Sequence, residues 1–120
     1  ITGGAGYIGS VFVPQLLAQG YKVTVLDNFM YKQNSLLDVC YHPDLDIIVG
    51  DVRDKSKLKR EVANHDIIVP LAAIVGEPAC KWDKQLATEL NQKQIPLELN
   101  SADSCAAIFE IHPSFQSPCK

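Results

Sequence analysis

Ile1-Thr2-Gly3-Gly4-Ala5-Gly6-Tyr7-Ile8-Gly9 is the stretch that decides the fold. A strand end, a glycine-rich turn and a helix start follow one another without a spacer, the local design that holds a dinucleotide pyrophosphate. Glycine at Gly4 and Gly6 permits positive φ and lets the backbone come close to phosphate oxygens, and Gly9 is expected where the helix packs closely on the strand. The start of the helix presents unpaired N–H groups and a partial positive charge to an anion. A glycine triplet alone carries little, because many such turns bind nothing. A preceding strand, a following helix and an acidic residue after the next strand give it meaning.

Downstream of the turn a helix is predicted over Tyr7 to Gln19, with Ile8, Val11, Phe12, Leu16 and Leu17 at helical spacing and Gly20 as its stop. Pro14 removes one backbone donor and is expected to bend the helix near Ser10. Lys22-Val23-Thr24-Val25-Leu26 reads as a buried parallel strand ending at Asp27. That position is close to the roughly 20-residue offset at which a carboxylate accepts from both hydroxyls of an adenosine ribose. A carboxylate there repels the 2′-phosphate of NADP, and Asn28 and Phe29 supply no arginine to attract one, so NAD is the expected cofactor. Lys32 is the one opposing signal nearby, and the plain alternative for Asp27 is a turn cap at a strand end. Little more than Ile1 remains of the strand before the turn, so the sequence reads as truncated at its start.

Composition narrows the class. With 120 residues and 47% hydrophobic content the chain builds one small core, short for a dinucleotide-dependent enzyme with its own substrate domain. A formal charge of −3 with both signs interspersed provides no basic stripe for nucleic acid and no polybasic segment for a membrane surface. No apolar run reaches transmembrane length and no leader pattern opens the chain, so a cytoplasmic protein is expected, with the reservation that a missing start would hide a targeting segment. Cys40, Cys80, Cys105 and Cys119 form no C-x-x-C pair, and His42, His65 and His112 are scattered, so no metal site is expected. The cysteines other than Cys119 read as small apolar filler.

The alternation of strand and helix continues. A polar loop with Tyr31, Asn34 and Ser35 leads to a helical turn through Leu36-Leu37-Asp38-Val39, and Leu45 to Val49 forms the next strand, stopped by Gly50. Asp54 is the expected N-cap of a helix from Lys55 to Asn64, with Leu58 and Val62 buried. Ile67-Ile68-Val69-Pro70-Leu71 is a further strand, apolar along its length as buried parallel strands are. The pattern predicts an α/β fold, a three-layer Rossmann-type doubly wound parallel sheet with ligands at the carboxyl ends of its strands. Those ends carry Gly3 to Gly9, Asp27 and Asn28, Gly50 to Asp54, and Leu71-Ala72-Ala73. Asp51 is placed to accept from an adenine amino group, and Ala72 and Ala73 are small enough for a nicotinamide ribose to lie against the backbone. Turn chemistry for the aspartate and tight packing for the alanines are the plain alternatives.

These segments in this order resemble the extended short-chain dehydrogenase/reductase family, in its NAD-dependent epimerase/dehydratase branch acting on nucleotide sugars. The resemblance covers Ile1 to about Asn91, and the Asp27-Asn28 pair is similar to that of UDP-glucose 4-epimerase-like members. It implies that Gly3, Gly6 and Gly9 cradle the pyrophosphate with Tyr7 and Ile8 beside them, that Asp27 and Asn28 hold the adenosine ribose, that Asp51 and Val52 meet the adenine, and that Leu71, Ala72 and Ala73 border the nicotinamide side. Leu71 stands where many members carry a histidine. The resemblance also implies a nucleotide-sugar substrate for the full-length parent, and a homodimer only where the helices missing here are present.

The departures from the family pattern concern the chemistry. The family uses a tyrosine followed four residues on by a lysine, which lowers the tyrosine pKa so that it moves a proton while NAD takes or returns hydride. Here Tyr7, Tyr21, Tyr31 and Tyr41 are followed at that distance by Val11, Val25, Ser35 and Leu45. A fifth strand is expected at Ala106 to Ile111, but Ser114 is out of register for the family's catalytic serine or threonine, so no catalytic residue is assigned. Residues 1–91 therefore read as the NAD-binding half and residues 92–120 as a divergent tail of the same domain. Two rivals stay open: a non-catalytic nucleotide-binding or regulatory module, and an inert truncated fragment.

Overall fold

The computed structural model describes residues 1–74, residue 85 and the strand at 107–108. Cys80, Cys105, Cys119, His112, Ser114, the outer residues of the expected fifth strand and the rest of the tail lie outside the described residues. In chain order the elements are α1 (Tyr7–Ala18), β1 (Val23–Asp27), a 3-10 turn (Leu37–Val39), β2 (Leu45–Val49), α2 (Lys55–Val62), β3 (Ile67–Ile68) and β4 (Ala107–Ile108). The expected strand at Leu45 to Val49 is reproduced, and the helix after Asp54 ends at Val62, short of Asn64.

β1 and β2 pair in parallel, Val23 opposite Leu45 and Asp27 opposite Val49, and β3 pairs in parallel with β4. Thr2 joins the two pairs, because it bridges Leu26 on one flank and Pro70 on the other, both in parallel. Its N–H donates to the Val69 carbonyl at 3.1 Å and its carbonyl accepts from Leu71 N–H at 2.9 Å, while Leu26 N–H reaches the Ile1 carbonyl at 2.9 Å. The lateral order is therefore β2, β1, the Thr2 segment, β3, β4, the parallel order of a Rossmann-type sheet.

Side-chain alternation along β1 builds the layers. Val23 and Val25 join Ala5, Val13, Leu17 and Leu36 in a buried cluster beneath α1. Thr24 and Leu26 line the other side with Leu58 and Val62 of α2. The α2 helix starts where expected, since the Asp54 carboxylate accepts from the N–H groups of Ser56 and Lys57, both at 3.1 Å. Its far end is tied to β1 through His65. Nδ1 lies 2.6 Å from the Glu61 carbonyl, which only accepts, so Nδ1 donates there, and Nε2 is hydrogen-bonded to the Thr24 hydroxyl at 2.8 Å.

Two sequence expectations are corrected here. The buried line of α1 runs through Gly9, Val13 and Leu17, whereas Ile8 and Val11 are 56% and 58% exposed. The helix is apolar nearly all round, so spacing could not choose the face; the close approach at Gly9 chooses it. A Cβ on Gly9 would lie 2.1 Å from the Gly4 carbonyl oxygen, so Gly9 packs on the turn itself. Second, positive φ falls at Gly3 (67°), while Gly6 is extended (φ −75°, ψ −176°) and Gly4 also lies outside the left-handed region. The chain reverses at the first glycine of the turn because Gly3 lies directly against the next strand's continuation. Pro14 sits inside α1 without ending it.

Gly9→Ala is expected to cost about 3 kcal/mol, the upper end of overpacking, because the clash is with backbone. Gly20→Ala meets nothing within 4 Å and bears only the left-handed penalty of about 1 kcal/mol. Chemical denaturation of both variants checks the difference, and equal losses would overturn this packing account.

Candidate cofactor site

The carboxyl ends of the Thr2 segment, β1, β2 and β3 open on one cleft. It lies where the sheet order reverses, between β1 and β3, as ligand sites of open α/β sheets do. Its walls are Gly3 and Gly6 of the turn, Asp27 and Asn28 after β1, Gly50 and Val52 after β2, and Leu71 to Ile74 after β3. Met30, Tyr31 and Gln33 of the β1–β2 loop complete it.

The turn is held from both sides. Gly3 N–H donates to the Leu26 carbonyl at 2.8 Å, and Gly6 N–H to the Gly3 carbonyl at 3.0 Å. A Cβ at Gly3 would stand 2.6 Å from Ala72 Cα, so only glycine allows the turn to lie on that segment. At the middle of the turn Ala5 N–H donates to Asp27 Oδ2 at 3.0 Å, and the Ala5 carbonyl accepts from Ser35 Oγ at 2.6 Å. The helix that follows has no side-chain cap and no acidic residue in its first turn, which leaves its positive end available to an anion.

Asp27 is the hub. It is 7% exposed, and its Oδ1 accepts from Phe29 N–H at 2.8 Å and from Gln33 Nε2 at 3.4 Å. The loop beyond it carries two non-glycine residues in the left-handed region, Phe29 and Lys32, each at φ 51°, closed by a hydrogen bond from Lys32 N–H to the Phe29 carbonyl at 2.8 Å. Strain of this kind persists where surrounding contacts over-determine it.

Of the residues singled out from sequence, the structure gathers Gly3, Gly6, Asp27, Asn28, Val52, Leu71, Ala72 and Ala73 around the cleft. Gly9 is buried behind the turn, and the side chains of Tyr7 (94% exposed) and Ile8 point away from the core, so what these two offer the site is backbone at the helix start. Asp51 is outside the cleft lining and is engaged by Arg53, through Nη2 at 2.6 Å, Nε at 2.9 Å and N–H at 2.8 Å. Sequence reasoning missed Gln33 as a wall and Ser35 as a latch. Nothing in the sequence could pair Ser35 with Ala5, because the contact exists only once the loop folds back over the turn.

Arg53 holds the Asp51 carboxyl below the usual carboxylate range; burial opposes this, and the Asn28 side chain adds a smaller pull in the same direction. A depressed folded value means a contribution to stability that is present at neutral pH and is lost as pH falls through that value. Both side chains are substantially exposed, so the contribution is under about 1 kcal/mol. A carbon-detected NMR titration should show Asp51 titrating low, and Arg53→Ala should return it upward; no change on that substitution would overturn the pairing. For the latch, Ser35→Ala is expected to cost about 1 kcal/mol in denaturant unfolding, with Ser35→Thr recovering part of the loss.

The chain belongs to the NAD dependent epimerase/dehydratase family, whose model matches residues 1–107, further than Asn91 where the sequence resemblance was drawn to a close. It is 42% identical over 80 residues to a UDP-N-acetyl-alpha-D-glucosaminuronate decarboxylase of Bacillus cytotoxicus, covering 63% of this chain and 23% of that protein. It is 33% identical over 109 residues to a bifunctional UDP-glucose 4-epimerase and UDP-xylose 4-epimerase of Arabidopsis thaliana, covering 76% of this chain and 30% of that one. Among solved structures, the dTDP-glucose 4,6-dehydratase DesIV of Streptomyces venezuelae, with NAD and TYD bound, superposes with a TM-score of 0.81 at 36% identity, over 89% of this chain and 36% of that one. The chain thus spans between about a quarter and a third of the length of these curated relatives. The fold is the Rossmann-type fold of these enzymes. Among the described residues no group of side chains could hold a metal ion, and no helix is long and apolar enough to cross a membrane.

Proposed function

We propose that this chain is the NAD-binding portion of a nucleotide-sugar epimerase or dehydratase. The observation that carries the reading is the meeting of three elements at one cleft: the left-handed Gly3 packed on Ala72, the uncapped start of α1, and the buried Asp27 carboxylate at the end of β1. The residues fit the cofactor, since a buried acceptor in the wall of the cleft, Gln33 Oε1, lacks a partner beside Asp27.

On this reading Gly3, Gly6 and the backbone of Tyr7 and Ile8 receive the pyrophosphate, with Gly9 allowing the helix to start close to the turn. Asp27 and Asn28 receive the adenosine ribose, Val52 faces the adenine with Asp51 beside it at the rim, where Arg53 holds its carboxylate, and Leu71, Ala72 and Ala73 border the nicotinamide side. NAD supplies reversible hydride acceptance at a sugar carbon of the parent enzyme's nucleotide-sugar substrate. On this reading the described residues bind and orient the cofactor, and no tyrosine of the sequence is followed four residues on by lysine. The cytoplasm is the compartment this reading implies.

Calorimetric titration of the 120-residue chain should show NAD binding, with NADP weaker by about a hundredfold, since a like charge set against Asp27 costs several kcal/mol. Asp27→Ala should abolish binding and loosen the turn, because Ala5 and Phe29 lose their acceptor. With NAD and a panel of UDP- and dTDP-sugars the chain should give no sustained turnover. Equal affinity for NAD and NADP would sink the ribose assignment, and steady turnover would sink the division between binding and chemistry.

A further inference from the structure

Gln33 stands in the wall of the cleft on the loop that follows β1. Its Nε2 donates to Asp27 Oδ1 over 3.4 Å, the long limit of a hydrogen bond, at an oxygen that already accepts the Phe29 N–H at 2.8 Å. Its Oε1 is buried with no partner, the single such side-chain atom among the described residues. Native proteins seldom leave a buried carboxamide oxygen unpaired, because its lost hydration is then not replaced. Exchanging the amide's oxygen and nitrogen gives no relief, since a carbonyl oxygen would then face the Asp27 carboxylate. What the position lacks is a hydrogen-bond donor.

We propose that Gln33 is a further ligand residue of the adenosine ribose site, an assignment that rests on the NAD reading above. Asp27 offers about four acceptor positions, and Ala5, Phe29 and Gln33 engage three of them. On binding, one ribose hydroxyl donates to Asp27 Oδ1 in place of the Gln33 amide. The carboxamide turns about its soft terminal torsion, Oε1 accepts from the second hydroxyl, and Nε2 donates to the oxygen of the first. The diol is thereby shared between a carboxylate that only accepts and a carboxamide that does both, and the unpaired Gln33 oxygen finds its donor.

The assignment predicts opposite signs for stability and affinity. Gln33→Leu and Gln33→Met remove the unpaired oxygen, so their melting temperatures should equal or exceed that of the unsubstituted chain. Their affinities for NAD and AMP should fall about tenfold, the effect of one hydrogen bond of ordinary strength. Calorimetry with NAD, AMP, 2′-deoxy-AMP and 3′-deoxy-AMP reads the second effect, and thermal melts without ligand read the first. The unsubstituted chain should prefer AMP to both deoxy forms, and the variants should prefer it less. Lower melting temperatures in both variants, or unchanged affinity and discrimination, would overturn the role of Gln33 while NAD binding by the unsubstituted chain left the cofactor reading intact. Failure of the unsubstituted chain to bind NAD or AMP would overturn both.

Discussion

Everything at the site depends on the backbone pairing of Thr2 with a neighbour on each side. Its N–H and carbonyl engage Val69 and Leu71 on one flank, and its neighbours Ile1 and Gly3 engage Leu26 on the other. This double pairing sets the register of β1 and β3 against the same point, so the turn begins at the level where both strands end. In a parallel sheet a slip of one residue would exchange the faces of a strand. Val23 and Val25 would then leave α1, and Thr24 would leave His65. The same register lays Gly3 on Ala72 and brings Ala5 within reach of Asp27.

Asp27 carries that alignment into chemistry. Its carboxylate is anchored by an N–H from the turn and an N–H from its own loop, so the geometry of the glycine turn and of the loop after β1 is one connected polar unit. Ser35 closes the unit from the far end of the loop by holding the Ala5 carbonyl. Buried hydrogen bonds of this kind are strong when complete and expensive when broken, which gives the left-handed conformations at Phe29 and Lys32 something to lean on. The unpaired oxygen of Gln33 is the exception in this unit, and it falls at the wall of the cleft.

Membership of the NAD dependent epimerase/dehydratase family and the superposition on DesIV rest on this same scaffold. On the proposed reading the cofactor contacts come from the first strands and the turns that follow them.

The amino-acid sequence by itself determined the elements and their order. Glycine spacing, the apolar runs at Val23 to Leu26 and Leu45 to Val49, and the Asp54 cap are local signals, and the structure places strands, turn and helix accordingly. It also determined that Asp27 ends a strand beside the turn, because that follows from counting along a βαβ unit. The buried face of α1, the left-handed position of the turn, and the parts of Ser35 and Gln33 were decided only by the tertiary structure. An apolar helix has no preferred face until a close backbone contact, here Gly9 on Gly4, selects one. Gly3 becomes the reversal point because Ala72 lies against it, and Ser35 meets Ala5 because a loop returns over a turn thirty positions earlier in the chain. Such contacts join residues distant in sequence, and no local pattern of residue types encodes them.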